Sequence, residues 1–172
     1  MNPHSGYVTF REKQTFRRVW WVMLLVLGIA ALMWWGLIEQ IVLGRPWGDN
    51  PGPDWMVWLF WLLFGIGLPA FFWWLKLEVE VWTDHIQIRF RPFANRTIAY
   101  TDVERILART YSPIREYAGW GVKGWSSKKM AYNVSGNQGV EIFLADGQSV
   151  MIGTQKPQEL AEAIETQLQD VE

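Results

Sequence analysis

The chain has 172 residues, no cysteine and a formal net charge of −1. The lack of cysteine excludes disulfides, thiolate metal sites and a cysteine nucleophile, and the near-neutral balance argues neither for nor against a nucleic-acid role. Hydrophobic residues make up 50% of the chain, but they are concentrated in its first half.

Residues 1–18 read as a basic N-terminal segment, with Arg11, Lys13, Arg17 and Arg18 opposed only by Glu12. The runs Val19 to Ile38 and Trp55 to Leu75 then carry no charge. At about 1.5 Å of rise per residue, each makes a helix of about 30 Å, the thickness of a bilayer's hydrocarbon core. The expected arrangement is a transmembrane hairpin over 19–75, with spans at about 19–43 and 55–75. Trp20 and Trp21 open the first span and Trp34 and Trp35 lie near its far end. Trp55 opens the second, and Trp73 and Trp74 close it. Indole has an apolar body and one N–H donor, so it settles at the headgroup level. These tryptophans, with Arg17, Arg18 and Lys76, are the expected interface anchors. Pro69 is expected to kink the second span.

The turn Gly44 to Asp54 is too rich in Pro and Gly to be helical. Lys and Arg flank the hairpin on both outer sides, which predicts cytoplasmic termini and an external turn. Gly28-Ile29-Ala30 weakly resembles a cleavage site, but the apolar run continues to Ile38, so an uncleaved anchor is expected. Neither run contains an ionisable residue, which argues against a transporter.

Residues 76–172 read as one water-soluble domain. Leu77, Val79 and Val81 alternate with Glu78 and Glu80, and Ile86, Ile88 and Phe90 alternate with Gln87, Arg89 and Arg91. The two runs form a hairpin around Thr83-Asp84-His85, and Pro92 ends the second. Thr97 to Tyr100 is a short strand, and Val103 to Tyr111 another, with Ile106 as its core residue. Ser112-Pro113 breaks it. After a loop, Met130 to Val134 is a strand. Gly139 to Leu144 and Ser149 to Gly153 make a hairpin around Asp146-Gly147. Pro157 opens a helix whose Leu160, Ala161, Ile164 and Leu168 share one face, with Glu159, Glu162 and Glu165 opposite.

The predicted fold class is α+β: a two-helix transmembrane hairpin, then a small antiparallel β-barrel or sandwich capped by a C-terminal helix. This is a pleckstrin-homology-like plan. The run from Tyr111 through Ser112-Pro113-Ile114-Arg115-Glu116-Tyr117-Ala118-Gly119-Trp120 to Gly121 resembles a signature of uncharacterised bacterial membrane proteins with two N-terminal spans and a pleckstrin-homology-like head. The runs Ala131 to Glu141 and Asp146-Gly147 with Ile152 to Pro157 resemble it too. The resemblance implies an integral protein of the bacterial inner membrane, multi-pass, and no particular activity.

The most unusual part of the head is the loop in which Tyr117, Trp120 and Trp125 are interleaved with Gly119, Gly121 and Gly124. Arg115, Lys123, Lys128 and Lys129 lie in or beside it. Two readings are open: a contact surface for lipid headgroups, a partner or a second copy, or a loop folded back with its aromatics in the core. Charge divides along the head. From Lys76 to Lys129 there are ten Lys/Arg against six Asp/Glu, and from Met130 onward one against seven. The basic half is suited to anionic lipid. No specific inositol-phosphate pocket is expected, since Thr83-Asp84-His85 is short and partly acidic and Arg89 and Arg91 read as a solvated strand face.

The two histidines, His4 and His85, form no metal pair, and there is no GxSxG or phosphate loop. No catalytic, cofactor-binding or metal residue is therefore expected. The expected function is non-enzymatic: a head that binds a membrane-protein partner or self-associates beside the inner leaflet, in contact with membrane lipids and not nucleic acid. The alternative is a module that senses a lipid or small ligand there.

Overall fold

The computed structural model describes residues 6–124 and 128–170. The chain divides into two compact units: Phe16–Leu75, and a head to which the stretches on both sides of it contribute.

The first unit is a pair of apolar rods. Helix α1 (Trp20–Leu37) runs on through a π-helical turn, Ile38–Val42. The second rod is α2 (Asp54–Phe60), a π-helical turn (Trp61–Gly67) and α3 (Leu68–Trp74). Pro69 has no N–H to give the carbonyl four residues back, and the widened π turn lies just before it. Both rods, 23 and 21 residues, are long and apolar enough to cross a membrane. Within the chain only 22% and 6% of their most apolar stretches are buried, unlike the core helices of a water-soluble domain. Trp34 meets Trp61 edge-on at 5.1 Å, locking rod to rod. The connecting turn folds back on the rods. A Cβ at Gly36 would lie 2.6 Å from the Trp47 ring, so only glycine admits that indole. Gln40 donates to Gly52 O at 2.8 Å and to Asp54 Oδ1 at 2.9 Å.

The head begins before the rods. Residues 8–15 belong to it: β1 (Val8–Thr15) pairs antiparallel with β2 (Lys76–Trp82), and Thr15 stands opposite Lys76. The sequence reading took this stretch as a basic N-terminal segment and started the head at residue 76. Phe10, Glu12 and Gln14 are buried while Arg11 and Lys13 are exposed, so the period-two signal is present. It is masked because two of the three inward residues are polar. β3 (His85–Arg91) and β4 (Ala94–Ala99) complete a four-stranded sheet in the order β1-β2-β3-β4.

The second sheet holds β5 (Val103–Thr110), β6 (Gly121–Lys123), β7 (Lys129–Asn133), β8 (Gln138–Leu144) and β9 (Ser149–Gly153), in the order β5-β8-β9-β7-β6. β7 and β9 run parallel. Among the described residues no ladder joins the two sheets, so the expected barrel is not closed. Ile106 is only half-buried, because β5 is an edge strand with one flank uncovered. A short helix α4 (Pro113–Tyr117) follows β5 where a simple break was expected, with Pro113 at a first-turn position that needs no N–H.

Helix α5 (Pro157–Gln169) packs against β5, β8, β1 and β2. Leu160 and Ile164 are fully buried, while Glu159, Glu162 and Glu165 are exposed. Strand β1 fastens the corner between β9 and α5. Glu12 accepts from Thr154 Oγ1 and, at 3.0 Å, from the Gln155 N–H. The Gln14 amide donates to Gly153 O at 2.7 Å.

Candidate interaction surface

The loop singled out by sequence is held from beneath by two networks. In the first, Arg109 on β5 donates through Nε to Glu141 of β8 and through Nη2 to Glu116 of α4, both at 2.7 Å. The other oxygen of Glu116 accepts the Ser112 N–H at 2.7 Å, satisfying a donor at the start of α4. The Arg109 hydrogen bond, and then that N–H, hold the Glu116 carboxyl below the usual carboxylate range. Hydrogen bonding to Glu116 and then to Glu141 drives the guanidinium further up, against its partial burial. One side chain thus ties an edge strand, its neighbour and α4 together.

In the second network, Asn133 is fully buried and donates to the Tyr111 hydroxyl at 3.0 Å while accepting the Gly121 N–H at 2.8 Å. Tyr111 meets Tyr117 edge-on at 5.9 Å, and both pack with Ala131 and Met151. Burial, then the nearby Glu141 charge, pushes the Tyr117 phenol up to about 12. Gly153 lies against this cluster: a Cβ there would sit 2.7 Å from Asn133 Cβ and 2.8 Å from the Tyr111 oxygen.

These networks decide which side chains face outward. Tyr117, for which the sequence left surface and core both open, belongs to the core, its ring packed edge-on against Tyr111. Trp120 remains 38% exposed, its indole N–H donating to Gly136 O at 3.4 Å. Arg115, Lys128 and Lys129 are exposed and Lys123 half-exposed. Trp125 lies outside the described residues. Ile114, which sequence reasoning passed over, is the most exposed apolar residue among the described residues of the loop, at 63%. Reading Pro113 as a helix start would have drawn attention to it. The exposed side chains of this segment are therefore Ile114, Trp120, Arg115, Lys128 and Lys129, with Lys123 half-exposed.

The expected interface anchors belong to the helical unit, apart from Lys76. Trp20, Trp21, Trp34, Trp35, Trp55, Trp73 and Trp74 are all exposed. Arg17 lies over the Trp73 ring at 4.2 Å, joining the foot of one rod to the end of the other. Trp35 donates to Glu39 at 3.4 Å.

A second concentration of charge covers the outer face of the first sheet. Glu80 pairs with Arg11 at 2.7 Å and Arg89 at 3.6 Å. Glu78 pairs with Lys13 at 3.3 Å, Lys76 at 3.3 Å and Arg91 at 3.4 Å. Burial pushes the Glu78 carboxyl up, but hydrogen bonds from Lys76 and Lys13 and the charges of Lys76 and Arg91 outweigh it, so it is held below the usual range. Both carboxylates are nearly covered by the longer basic side chains, so the face presents cations. Among the described residues no group of His, Asp and Glu is arranged to hold a metal ion.

A family model described as a family of unknown function, DUF6141, matches residues 1–170. The chain belongs to that family. No curated protein and no solved structure matches it.

Proposed function

We propose that this family member is a non-enzymatic integral protein of the bacterial inner membrane, whose cytoplasmic head binds a protein partner through the face carrying Ile114 and Trp120. The head is a variant of the pleckstrin-homology-like plan. The order β1 to β4 in one sheet, β5-β8-β9 in the other and a helix over the open end supports that reading, with α4, β6 and β7 as an excursion from it. The exposure of both apolar rods supports membrane crossing. Cross-strand pairing of Thr15 with Lys76 requires the two rods to start and finish on the same side of the bilayer. Arg17, Arg18 and Lys76 at that side favour the cytoplasm.

The observation that carries the partner reading is the Arg109 and Asn133 networks beneath a segment that leaves Ile114 and Trp120 exposed. A backbone held by such networks loses little entropy when a partner docks, and exposed apolar and aromatic side chains accompanied by arginine are typical interface anchors. The partner's face is acidic. The exposed Glu159, Glu162 and Glu165 of a second copy's α5 is one such face.

A photo-crosslinking residue placed at Ile114 or Trp120 in the full-length protein, illuminated in intact membranes, tests this. A discrete protein adduct at both positions, absent when the probe stands at Glu104 instead, is the expected result. Adducts to lipid alone, or equal labelling at all three positions, would refute the partner reading.

A further inference from the structure

We propose that the corner of the first sheet formed by Lys76, Arg89, Arg91 and the exposed Phe93 docks the phosphate headgroup of an anionic phospholipid. The inference rests on the reading that the two rods cross a bilayer, and it concerns a different surface from the Ile114 face.

Position comes first. Lys76 directly follows Leu75, the last residue of the helical unit, and Thr15 directly precedes Phe16, its first. These two residues are cross-strand neighbours, and Arg91 stands opposite Lys76 on the other side. Neighbouring strands are about 4.8 Å apart, so Arg91 lies within about 10 Å of both points where the chain passes to the apolar rods. The headgroup layer on each side of the hydrocarbon core is on the order of 6 Å deep. Two covalent connections at one rung therefore tie Arg91, and the turn after it, to the end of the sheet from which the rods leave.

Chemistry agrees with position. The outer face carries five cations, Arg11, Lys13, Lys76, Arg89 and Arg91, around two carboxylates, Glu78 and Glu80. The carboxylates are already shared among these cations, so three positive charges are left over for an external anion. At the tethered end the surplus borders an open cleft of about 480 Å³, lined by Arg89, Arg91, Pro92, Phe93, Ala94 and Asn95. Phe93 is 53% exposed at its rim. Guanidinium groups beside an outward aromatic ring suit a phosphate attached to a hydrocarbon chain: the charges take the phosphate, and the ring lies at the boundary where aromatics settle.

The full-length protein is reconstituted in nanodiscs of equal phosphatidylglycerol and phosphatidylcholine and released into mild detergent. Native mass spectrometry then counts the retained lipids. Phosphatidylglycerol is expected to be enriched. Arg91→Gln is expected to lower the enrichment about fivefold, and Arg89→Gln with Arg91→Gln on the order of 25-fold. Arg91→Lys keeps the charge and most of the enrichment, which separates lost binding from lost folding. Arg11→Gln, on the same face but four residues along β1 from the tether at Thr15, changes little. Equal enrichment in the wild type and the double variant, or an equal loss with Arg11→Gln, overturns the proposal. Displacement of the lipid by millimolar inorganic phosphate also overturns it, since the site would then read a free anion. Extraction of the chain from membranes by alkaline carbonate would bring down the membrane reading itself. Firm retention without lipid preference would bring down this inference alone.

Discussion

If β1 is an integral part of the head, a fragment that starts at Lys76 cannot form a complete domain. Phe10, now 9% exposed, would be lost, and burying such a side chain is worth about 1.5–3 kcal/mol. Gly153 O would lose the Gln14 amide and the Thr154 hydroxyl would lose Glu12. Each such group, if it stays buried, costs about 1–3 kcal/mol. Three side chains of one strand thus carry roughly 4–9 kcal/mol, comparable with the ~5–15 kcal/mol that holds a whole domain together. The complementary chain keeps β1 and removes the rods. Because Thr15 and Lys76 pair directly, an Asn-Gly dipeptide in place of Phe16–Leu75 can close the strands as a two-residue hairpin. The relinked head is expected to be monomeric by size exclusion and to melt cooperatively by near-ultraviolet circular dichroism. Residues 76–172 alone are expected to aggregate or to lack a cooperative transition. With about 4–8 °C of melting temperature per kcal/mol at this size, a fragment melting within about 5 °C of the relinked head would refute the role given to β1.

Three further outcomes follow from the same geometry, each measurable on the relinked head or the full chain in mild detergent. Arg109→Ala leaves the buried Glu141 without its partner. It should cost about 2–3 kcal/mol in urea unfolding, less than for a fully enclosed pair because the guanidinium is partly exposed, and a loss below about 0.5 kcal/mol would contradict the bracing role. Gly153→Ala forces a methyl between Asn133 and Tyr111 and should destabilise by about 1–3 kcal/mol; a neutral result would mean that the cluster is loosely packed. The Glu78 and Glu116 carboxyls sit below their unfolded values, so their stabilisation is complete above the unfolded carboxylate range and is lost as pH falls through the folded values. Melting temperature should therefore drop on acidification below about pH 4.5, and Glu78→Gln with Glu116→Gln should flatten that drop. An unchanged acid limb in the double variant would refute the assignment. The raised Tyr117 phenol acts at the other limb, favouring the unfolded state as pH climbs above about 10.

Much of this architecture is legible in the sequence because one period dominates locally. Leu77-Val79-Val81 and Ile86-Ile88-Phe90 alternate cleanly, and all six are buried at the expected register. Asp146-Gly147 marks its hairpin, and Leu160, Ala161 and Ile164 line the buried face of α5. The missed features share a cause: their signal is non-local or polar. β1 hides because its buried Glu12 and Gln14 hydrogen-bond to residues more than a hundred positions away. The placement of Tyr117 depends on a ring partner across a turn, and nothing in Tyr-Ala-Gly-Trp says which aromatic goes inward. Arg109 reads as one more surface cation until Glu116 and Glu141 converge on it.

The rods interrupt a sheet and do not merely precede it, which gives the charges at their feet two tasks. Arg11 and Lys13, read in the sequence as topogenic cations, are partners of Glu80 and Glu78 on the strand across the insertion. A chain inserted with only one rod across the bilayer would leave β1 and β2 on opposite sides. Glu78 and Glu80 would then lose Lys13 and Arg11, and the corner at Thr154 would lose Glu12. If the rods cross a bilayer as proposed, hairpin insertion is a precondition for closing the head, and the closed head in turn holds both flanks on one side. Which side that is rests on a few cations, while keeping the two flanks together rests on a seven-position strand ladder, a far more cooperative interaction.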